Sequence, residues 1–193
     1  MKKRATDKPA AKKSENKKPT LRGEIYDWVQ SLITALMICV VLFLFFVRVV
    51  DVSGDSMNPT LFDGNKMLVS DMFYKPKAGD VVIFKKDEYD PDKALVKRVV
   101  AVGGQTVNID FDTGLVYVDG EPIEEPYTAD LTFNKLDFMG PWRVPEGSVF
   151  VMGDNRNAST DSRDKRIGNV DERLIIGRAY LVIYPVGELR WIH

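Results

Sequence analysis

The chain has 193 residues, of which 45% are hydrophobic, and carries a formal net charge of −1. This length accommodates one membrane anchor and one globular domain of roughly 140 residues, and it excludes two full enzymatic domains. Residues 1–22 hold nine Lys and Arg against two acidic residues, which leaves about −8 for residues 23–193. We expect no nucleic-acid partner for an acidic folded part, because binding to phosphates requires a basic face.

The N-terminal segment 1–22 is rich in Lys, Ala, Pro and Ser and has no apolar periodicity. Such a segment cannot bury enough surface to offset its chain entropy, so we predict a disordered tail. An apolar run follows over residues 29–50, and its 22 residues would span about 33 Å as a helix.

We predict a transmembrane anchor helix within residues 23–50, because the hydrocarbon core of a bilayer is about 30 Å thick. The apolar run is longer than that of a cleaved signal peptide and no small-x-small cleavage site follows it. The helix is therefore predicted to stay attached. The positive-inside rule places the lysine-rich tail in the cytoplasm and residues 51–193 on the outer side of the cell membrane.

Cysteine and histidine are too scarce for several common kinds of site. The chain has one cysteine, Cys39, within the apolar run, and one histidine, His193, as the last residue of the sequence. This excludes an intramolecular disulfide, a zinc site built from paired thiolates and a Cys/His peptidase. We expect no metal and no cofactor, and a hydrolytic nucleophile here needs a base other than imidazole.

Short β-branched runs separated by turn residues follow the apolar run and predict a mostly β domain of antiparallel sheets. The sequences Asp112-Thr113-Gly114 and Asp119-Gly120 are typical of hairpin turns. Residues 121–147, with four prolines, are predicted to leave the sheet as an irregular segment. The predicted strands are 66–70, 80–84, 95–102, 106–109, 115–118, 148–152 and 179–184.

Ser56 is a candidate nucleophile, since it lies a few residues beyond the apolar run. Gly54 permits an unusual backbone turn, and Pro59 forces Asn58 towards an extended conformation. Such a setting can present a hydroxyl beside exposed N–H groups. Taken alone, it is equally typical of a serine in an ordinary turn.

Lys97 lies in an otherwise apolar strand beside Arg98. The period of two puts Leu95, Lys97 and Val99 on one face and Arg98 on the other, so one of the two charges must meet the buried face. The alternative is a solvated charge on an edge strand, which discourages aggregation. If Lys97 is the buried charge, desolvation lowers its pKa and frees a neutral amine that can accept a proton from a serine.

The polar loop of residues 153–163 follows the predicted strand 148–152. Arg156 and Ser159 occupy positions where a calcium-binding EF-hand loop requires an oxygen ligand and a glycine, which argues against that kind of site. As a catalytic loop, it offers the hydroxyls of Ser159 and Ser162 to orient an amine. An ion pair between Asp161 and Arg163 would brace its turn.

Four blocks together, in this order, resemble the bacterial type I signal peptidases, also called leader peptidases, in the Gram-positive form with one N-terminal anchor. The resemblance extends from about residue 24 to the end of the chain. The blocks are residues 53–61 (SGDSMNPTL), 79–84 (GDVVIF), 97–100 (KRVV) and 153–163 (GDNRNASTDSR).

The resemblance implies that Ser56 is the nucleophile and Lys97 the general base, with Ser159 hydrogen-bonded to the lysine amine. It implies that Asp161 and Arg163 are structural partners near the site. The oxyanion hole would use the Ser56 N–H and a second donor. Some relatives supply that donor as a serine hydroxyl two positions before the nucleophile, where this chain has Gly54.

The function that the resemblance implies is a membrane-anchored serine endopeptidase that cleaves N-terminal signal peptides from exported preproteins. Its substrates would carry small residues at −1 and −3, its other partner would be the lipid bilayer, and the enzyme would be a monomer. Candidate residues for the substrate pocket, which are otherwise ordinary core, are Val50, Val52, Met57, Leu95 and Val96.

Two alternatives remain open. A self-cleaving repressor of the Ser/Lys type shares the chemistry but needs a DNA-binding segment in place of the anchor. A non-enzymatic, membrane-anchored β-domain that binds a surface partner fits the topology, but it leaves Lys97 and the polar loop unexplained.

Overall fold

In this computed structural model, the structure describes residues 21–72 and 74–193, with the side chains of residues 42–45 left aside. The predicted disorder of residues 1–20 lies outside the described residues. Leu21 and Arg22, assigned to the tail by the sequence, are helical. The chain divides into two compact units, Met1–Leu42 and Phe43–His193, which are described separately.

The helix α1 (Leu21–Phe46) contains 26 residues and no proline. Within it, the segment Leu21–Val41 is apolar and long enough to cross a membrane, and none of that segment is buried. The helix ends four residues before the predicted end at residue 50. This part of the prediction is wrong, because Arg48–Asp51 form a strand that pairs with residues 66–69 in the antiparallel register Arg48↔Val69.

The unit after the helix consists of two antiparallel sheets. The larger sheet has the order β1-β2-β11-β3-β4-β9-β10, with β12 paired to β11, and the smaller has the order β7-β6-β5-β8. The strands are β1 (Arg48–Asp51), β2 (Lys66–Ser70), β3 (Val81–Lys85), β4 (Ala94–Val102), β5 (Thr106–Asp110), β6 (Leu115–Val118), β7 (Glu121–Pro122), β8 (Trp142–Arg143), β9 (Ser148–Met152), β10 (Val170–Asp171), β11 (Ile175–Tyr184) and β12 (Arg190–Trp191).

The predicted mostly β fold with an N-terminal helix is confirmed, and all seven predicted strands are present. Strand β11 begins four residues earlier than predicted. The hairpin between β6 and β7 turns at Asp119 and Gly120, whose φ angles of 54° and 89° lie in the left-handed region that such two-residue turns require. The irregular segment predicted over 121–147 is shorter than predicted: 123–141 contains no strand or helix, whereas Glu121–Pro122 and Trp142–Arg143 form β7 and β8 and pair in the smaller sheet.

Strands β3 and β4 are central in the larger sheet and are covered on both faces. In β3 the residues Val81, Val82, Ile83 and Phe84 are all buried, and they pack alternately into two different apolar clusters. The same arrangement buries five consecutive residues of β4. Two adjacent charged residues in β4 are therefore both withdrawn from water, whereas the sequence pattern required this of only one.

Deletion of β1 tests the corrected boundary between helix and sheet. A fragment of residues 52–193 should be less stable than one of residues 47–193 by roughly 2 kcal/mol or more, because it loses the hydrogen bonds to β2 and the packing of Val50. Urea unfolding of both fragments measures the difference. A fragment of residues 43–193 is the control and should match 47–193; equal stability of all three would mean that β1 contributes nothing.

Candidate active site

The structure brings Ser56 and Lys97 together from segments 41 residues apart in the sequence. Lys97 lies in the middle of β4, and Ser56 lies in the turn that follows β1. The Lys97 Nζ donates a hydrogen bond to the Ser56 Oγ over 2.7 Å. The same two atoms at this separation can exchange roles once the amine is neutral, with the hydroxyl donating its proton to the nitrogen.

Burial determines the protonation of Lys97, which is only 3% exposed. Desolvation lowers the pKa of this lysine from 10.5 to about 8, although the carboxylates of Asp161 and Asp154 act in the opposite direction. Arg163 adds to the lowering. A pKa near 8 leaves roughly a tenth of the amine neutral at pH 7, compared with less than about a thousandth for a free lysine.

Hydrogen bonds fix the backbone on both sides of Ser56. Gly54 has a φ of 87°, and its N–H donates to the Asp63 Oδ1 over 2.8 Å. The carbonyl of Ser56 accepts from the Asn155 N–H over 3.0 Å. Within the described residues the Ser56 N–H donates to no acceptor, so it is available to a substrate oxygen. Gly54, in contrast, supplies no free donor, because its one N–H is already engaged.

Ser159 is next to the nucleophile but does not bind the lysine as predicted. A Cβ built on Gly153 would lie 2.3 Å from the Ser159 Oγ and 2.4 Å from the Ser56 carbonyl oxygen, so Gly153 allows the two serines to approach. The Ser159 Oγ is buried and makes no hydrogen bond to any described residue. The predicted bond to the Lys97 amine is therefore wrong for this conformation, in which the amine points to Ser56.

The Ser162 hydroxyl contacts the backbone of β9 and not the Lys97 amine. Its Oγ accepts from the Val151 N–H over 2.9 Å, and its N–H donates to the Val151 carbonyl over 3.0 Å. The hydroxyl therefore continues the pairing of β9 into the loop. The structure does not bring Ser162 to the lysine: its hydroxyl contacts β9, and the Lys97 amine bonds to Ser56.

Asp161 and Arg163 form an ion pair in which neither side chain is exposed. Arg163 donates from Nε and Nη2 to the two carboxylate oxygens, each over 2.8 Å. Asp161 also accepts from the Gly153 N–H over 3.0 Å. The pair thus ties together the two ends of the polar loop, and it places a negative and a positive charge beside Lys97.

A second buried ion pair joins Arg98 and Asp154, which the sequence reasoning did not single out. Arg98 donates from Nε and Nη2 to both carboxylate oxygens, over 2.8 and 2.7 Å. The sequence did contain a signal for this pair, namely Arg98 beside Lys97 in an apolar strand. A buried arginine requires a carboxylate, and Asp154 in the polar loop provides one.

The predicted pocket residues line one cleft with the serine and the lysine. Its volume is about 460 Å³, and both apolar and polar residues line it. Val52 and Met57 are at most 5% exposed and also belong to the core. The cleft is lined by Val50, Val52, Met57, Leu95 and Val96 together with Ser56, Lys97, Gly54, Asp92 and Lys93, among others. Among residues 21–72 and 74–193 there is no group of three His, Cys, Asp or Glu side chains that could hold a metal ion.

Gly153 offers a direct test of this geometry. Replacing it with alanine places a methyl group where Ser159 and the Ser56 carbonyl now lie. We expect Gly153→Ala to lose stability by about 1–3 kcal/mol and activity by roughly a hundredfold. Gly187→Ala is the matched control, because a Cβ there meets nothing within 4 Å. Thermal unfolding and a peptidase assay on both variants measure the effect; equal behaviour would contradict the close contact.

The chain that carries this site is similar to known proteins over most of its length. A family model described as "Signal peptidase, peptidase S26" matches residues 25–184. Signal peptidase I of Bacillus licheniformis is 37% identical over 192 residues, which cover 92% of this chain and 98% of that relative. The probable signal peptidase I-1 of Synechocystis is 37% identical over 169 residues, with 83% and 82% covered.

A solved structure of a signal peptidase I from Enterococcus faecalis is 28% identical and has a TM-score of 0.44 to this structure. The match covers 54% of this chain and 97% of the Enterococcus faecalis chain. Since the family model spans 160 residues and the Bacillus relative nearly the whole sequence, the chain belongs to the signal peptidase family, peptidase S26.

Proposed function

We propose that this chain is a membrane-anchored serine endopeptidase that cleaves N-terminal signal peptides from exported preproteins. The observation that carries the proposal is the hydrogen bond of 2.7 Å between the Lys97 Nζ and the Ser56 Oγ, both of which line the cleft. Membership of the signal peptidase family supports the substrate class. The residues of the chain suffice for the reaction, which requires no cofactor.

In the first step the Ser56 Oγ attacks the carbonyl carbon of the scissile peptide bond, and Lys97 takes the hydroxyl proton. The resulting oxyanion is stabilised by the Ser56 N–H. Lys97 then returns the proton to the leaving amine as the peptide bond breaks, which leaves an acyl-enzyme on Ser56. A water molecule, deprotonated by the same neutral amine, attacks the ester, releases the signal peptide and restores the serine.

We propose that the cleft favours small residues at the −1 and −3 positions of the substrate, and we assign Val50, Val52, Met57, Leu95 and Val96 to the substrate pocket. Val52 and Met57 are buried in the core, so they cannot withdraw to admit a large residue. Ser159 borders the reacting serine through Gly153.

The charges of the chain and its exposed apolar side chains support a proposal for its location. We propose a cytoplasmic basic tail, a single membrane helix formed by α1, and an extracytoplasmic peptidase domain that acts as a monomer. Val49 in β1 and Phe62 after the Ser56 turn are exposed by 56% and 44% respectively. Exposed apolar side chains near the cleft suit contact with the bilayer, where a signal peptide also resides.

The two alternative functions are less well supported. The described residues before β1 form one helix, α1, and a repressor would need a separate DNA-binding unit there. A binding domain without enzymatic activity would have no reason to bury a lysine against a serine hydroxyl, because withdrawing an ammonium group from water is unfavourable.

Substitutions of Lys97 test the catalytic base. Lys97→Arg should lose kcat by about 10²–10⁴-fold, as much as Lys97→Ala, because a guanidinium keeps its proton. In the wild type, kcat/KM should rise with pH through the Lys97 pKa of about 8, since the neutral amine is the active form. Lys85→Arg, on an exposed lysine of the neighbouring strand β3, is the control and should be unaffected. A Lys97→Arg variant with near-normal turnover would identify another base.

The orientation can be tested in protoplasts that produce the full chain. Added protease should digest residues beyond 51 and spare an epitope placed in the basic tail, because only the domain is proposed to face outward. Lysed protoplasts are the control, in which the tail is digested as well. Protection of the whole chain in intact protoplasts would revive the cytosolic alternative.

A further inference from the structure

Glu125 and Tyr127 lie in the irregular segment after β7, outside the four blocks that resemble signal peptidases, yet they contact buried charges of the site. Glu125 accepts hydrogen bonds from the Arg156 Nη1, over 2.6 Å, and Nη2. The Tyr127 hydroxyl donates to the Glu125 Oε1 over 3.2 Å. Arg156 is not exposed at all in this ion pair.

The ring of Tyr127 also covers a second arginine. The Arg98 Cζ lies 3.9 Å from the ring centroid, a distance at which a guanidinium stacks on an aromatic face, and the Arg156 Cζ lies 5.9 Å away. Burial, and then the charge of Glu125, raise the pKa of Tyr127 to about 12, so its hydroxyl keeps its proton at neutral pH. These two residues, here called the Glu125–Tyr127 clamp, thus hold both arginines at once.

Each arginine connects the clamp to the polar loop beside Ser56 and Lys97. Arg98 follows Lys97 in β4 and holds Asp154 through two hydrogen bonds. Arg156 donates from Nε to the Gly153 carbonyl over 2.9 Å. Both contacts fix the start of the polar loop, where Asp154 and Gly153 are consecutive.

The polar loop in turn fixes the nucleophile and the lysine. The Asn155 N–H donates to the Ser56 carbonyl over 3.0 Å, and the Asn155 Nδ2 donates to the Asp55 carbonyl over 3.1 Å. The Arg156 carbonyl accepts from the Arg163 Nη2 over 2.7 Å, which links the clamp to the charges beside Lys97.

We propose that Glu125 and Tyr127 are positioning residues that hold the polar loop against Ser56 and keep Lys97 enclosed. The inference rests on the proposed peptidase function and adds residues that act through Arg98 and Arg156 instead of touching the substrate. The carboxylate of Glu125 is needed because a buried guanidinium left without its partner is strongly unfavourable. Without it, the loop must shift until Arg156 reaches water, and the enclosure of Lys97 loosens.

The test compares Glu125→Gln with Glu124→Gln in the full-length protein in detergent, using a fluorogenic signal-peptide substrate over a range of pH. Both variants remove one negative charge at adjacent positions, but Glu124 is exposed. For Glu125→Gln we expect kcat/KM at pH 7 to fall roughly tenfold to a hundredfold. We also expect the acid limb of the profile to move up by roughly half a pH unit or more, because a better solvated amine binds its proton more tightly.

The direction of the shift separates positioning from other causes. Loss of a negative charge alone would move the limb down, and partial unfolding would lower the rate without moving the limb. Either result, or equality with Glu124→Gln, would overturn the proposal. If wild type and Glu124→Gln both failed to cleave the substrate, the proposed function itself would be wrong.

Tyr127 gives a second test should Glu125→Gln fail to fold. Tyr127→Phe keeps the ring over Arg98 and loses only the hydroxyl bond of 3.2 Å, whereas Tyr127→Leu removes the ring. We expect Tyr127→Leu to shift the acid limb upward and Tyr127→Phe to remain within about twofold of wild type at pH 7. An unshifted limb in Tyr127→Leu would overturn the assignment of the ring.

Discussion

The withdrawal of one amine from water is the constraint on which the active site depends. Lys97 can accept a proton near neutrality because desolvation opposes its charge, and its pKa falls to about 8. That burial requires the face of β4 that carries Lys97 to be covered, which the core clusters around β3 and β4 provide. It also requires the serine to reach inward, which the open turn at Gly54 and the hydrogen bond from Asn155 to the Ser56 carbonyl achieve.

Three buried arginines hold the polar loop, and each is matched by a carboxylate. The pairs are Arg98–Asp154, Arg156–Glu125 and Arg163–Asp161. Removing one partner of such a pair typically costs about 3–5 kcal/mol, because the remaining charge is buried without compensation. The pairs therefore specify one arrangement of the polar loop. They also balance the local charge, since Asp161 and Asp154 raise the pKa of Lys97 and Arg163 lowers it.

Most of the sheet could be predicted from the sequence, because β-branched runs between turn residues identified seven strands. Strand β1 could not, since Val49 and Val50 continue the apolar run of the helix and only pairing with β2 distinguishes them. The two-residue strands β7, β8, β10 and β12 depend on tertiary contacts and leave no pattern. For the site, the alternation in β4 predicted one buried charge but not two, because alternation cannot reveal that a strand is covered on both faces.

The polar loop shows the same limit. Its residue types predicted an ion pair between Asp161 and Arg163, which are two positions apart. They did not predict that Ser162 completes the pairing of β9, or that Arg156 is matched by Glu125, which is 31 residues away. Tertiary structure brings such distant residues together, so the local spacing of residues in the sequence cannot predict these contacts.

A titration of the Lys97 amine can show whether the folded protein lowers its pKa. Lysine labelled with ¹³C at Cε can be followed by NMR in the full-length protein in detergent, with Lys97→Arg used to assign the signal. We expect one lysine signal that titrates near 8 and is absent in Lys97→Arg. A Lys97 signal that titrates near the free-lysine value of about 10.4 would show that the folded protein does not lower this pKa.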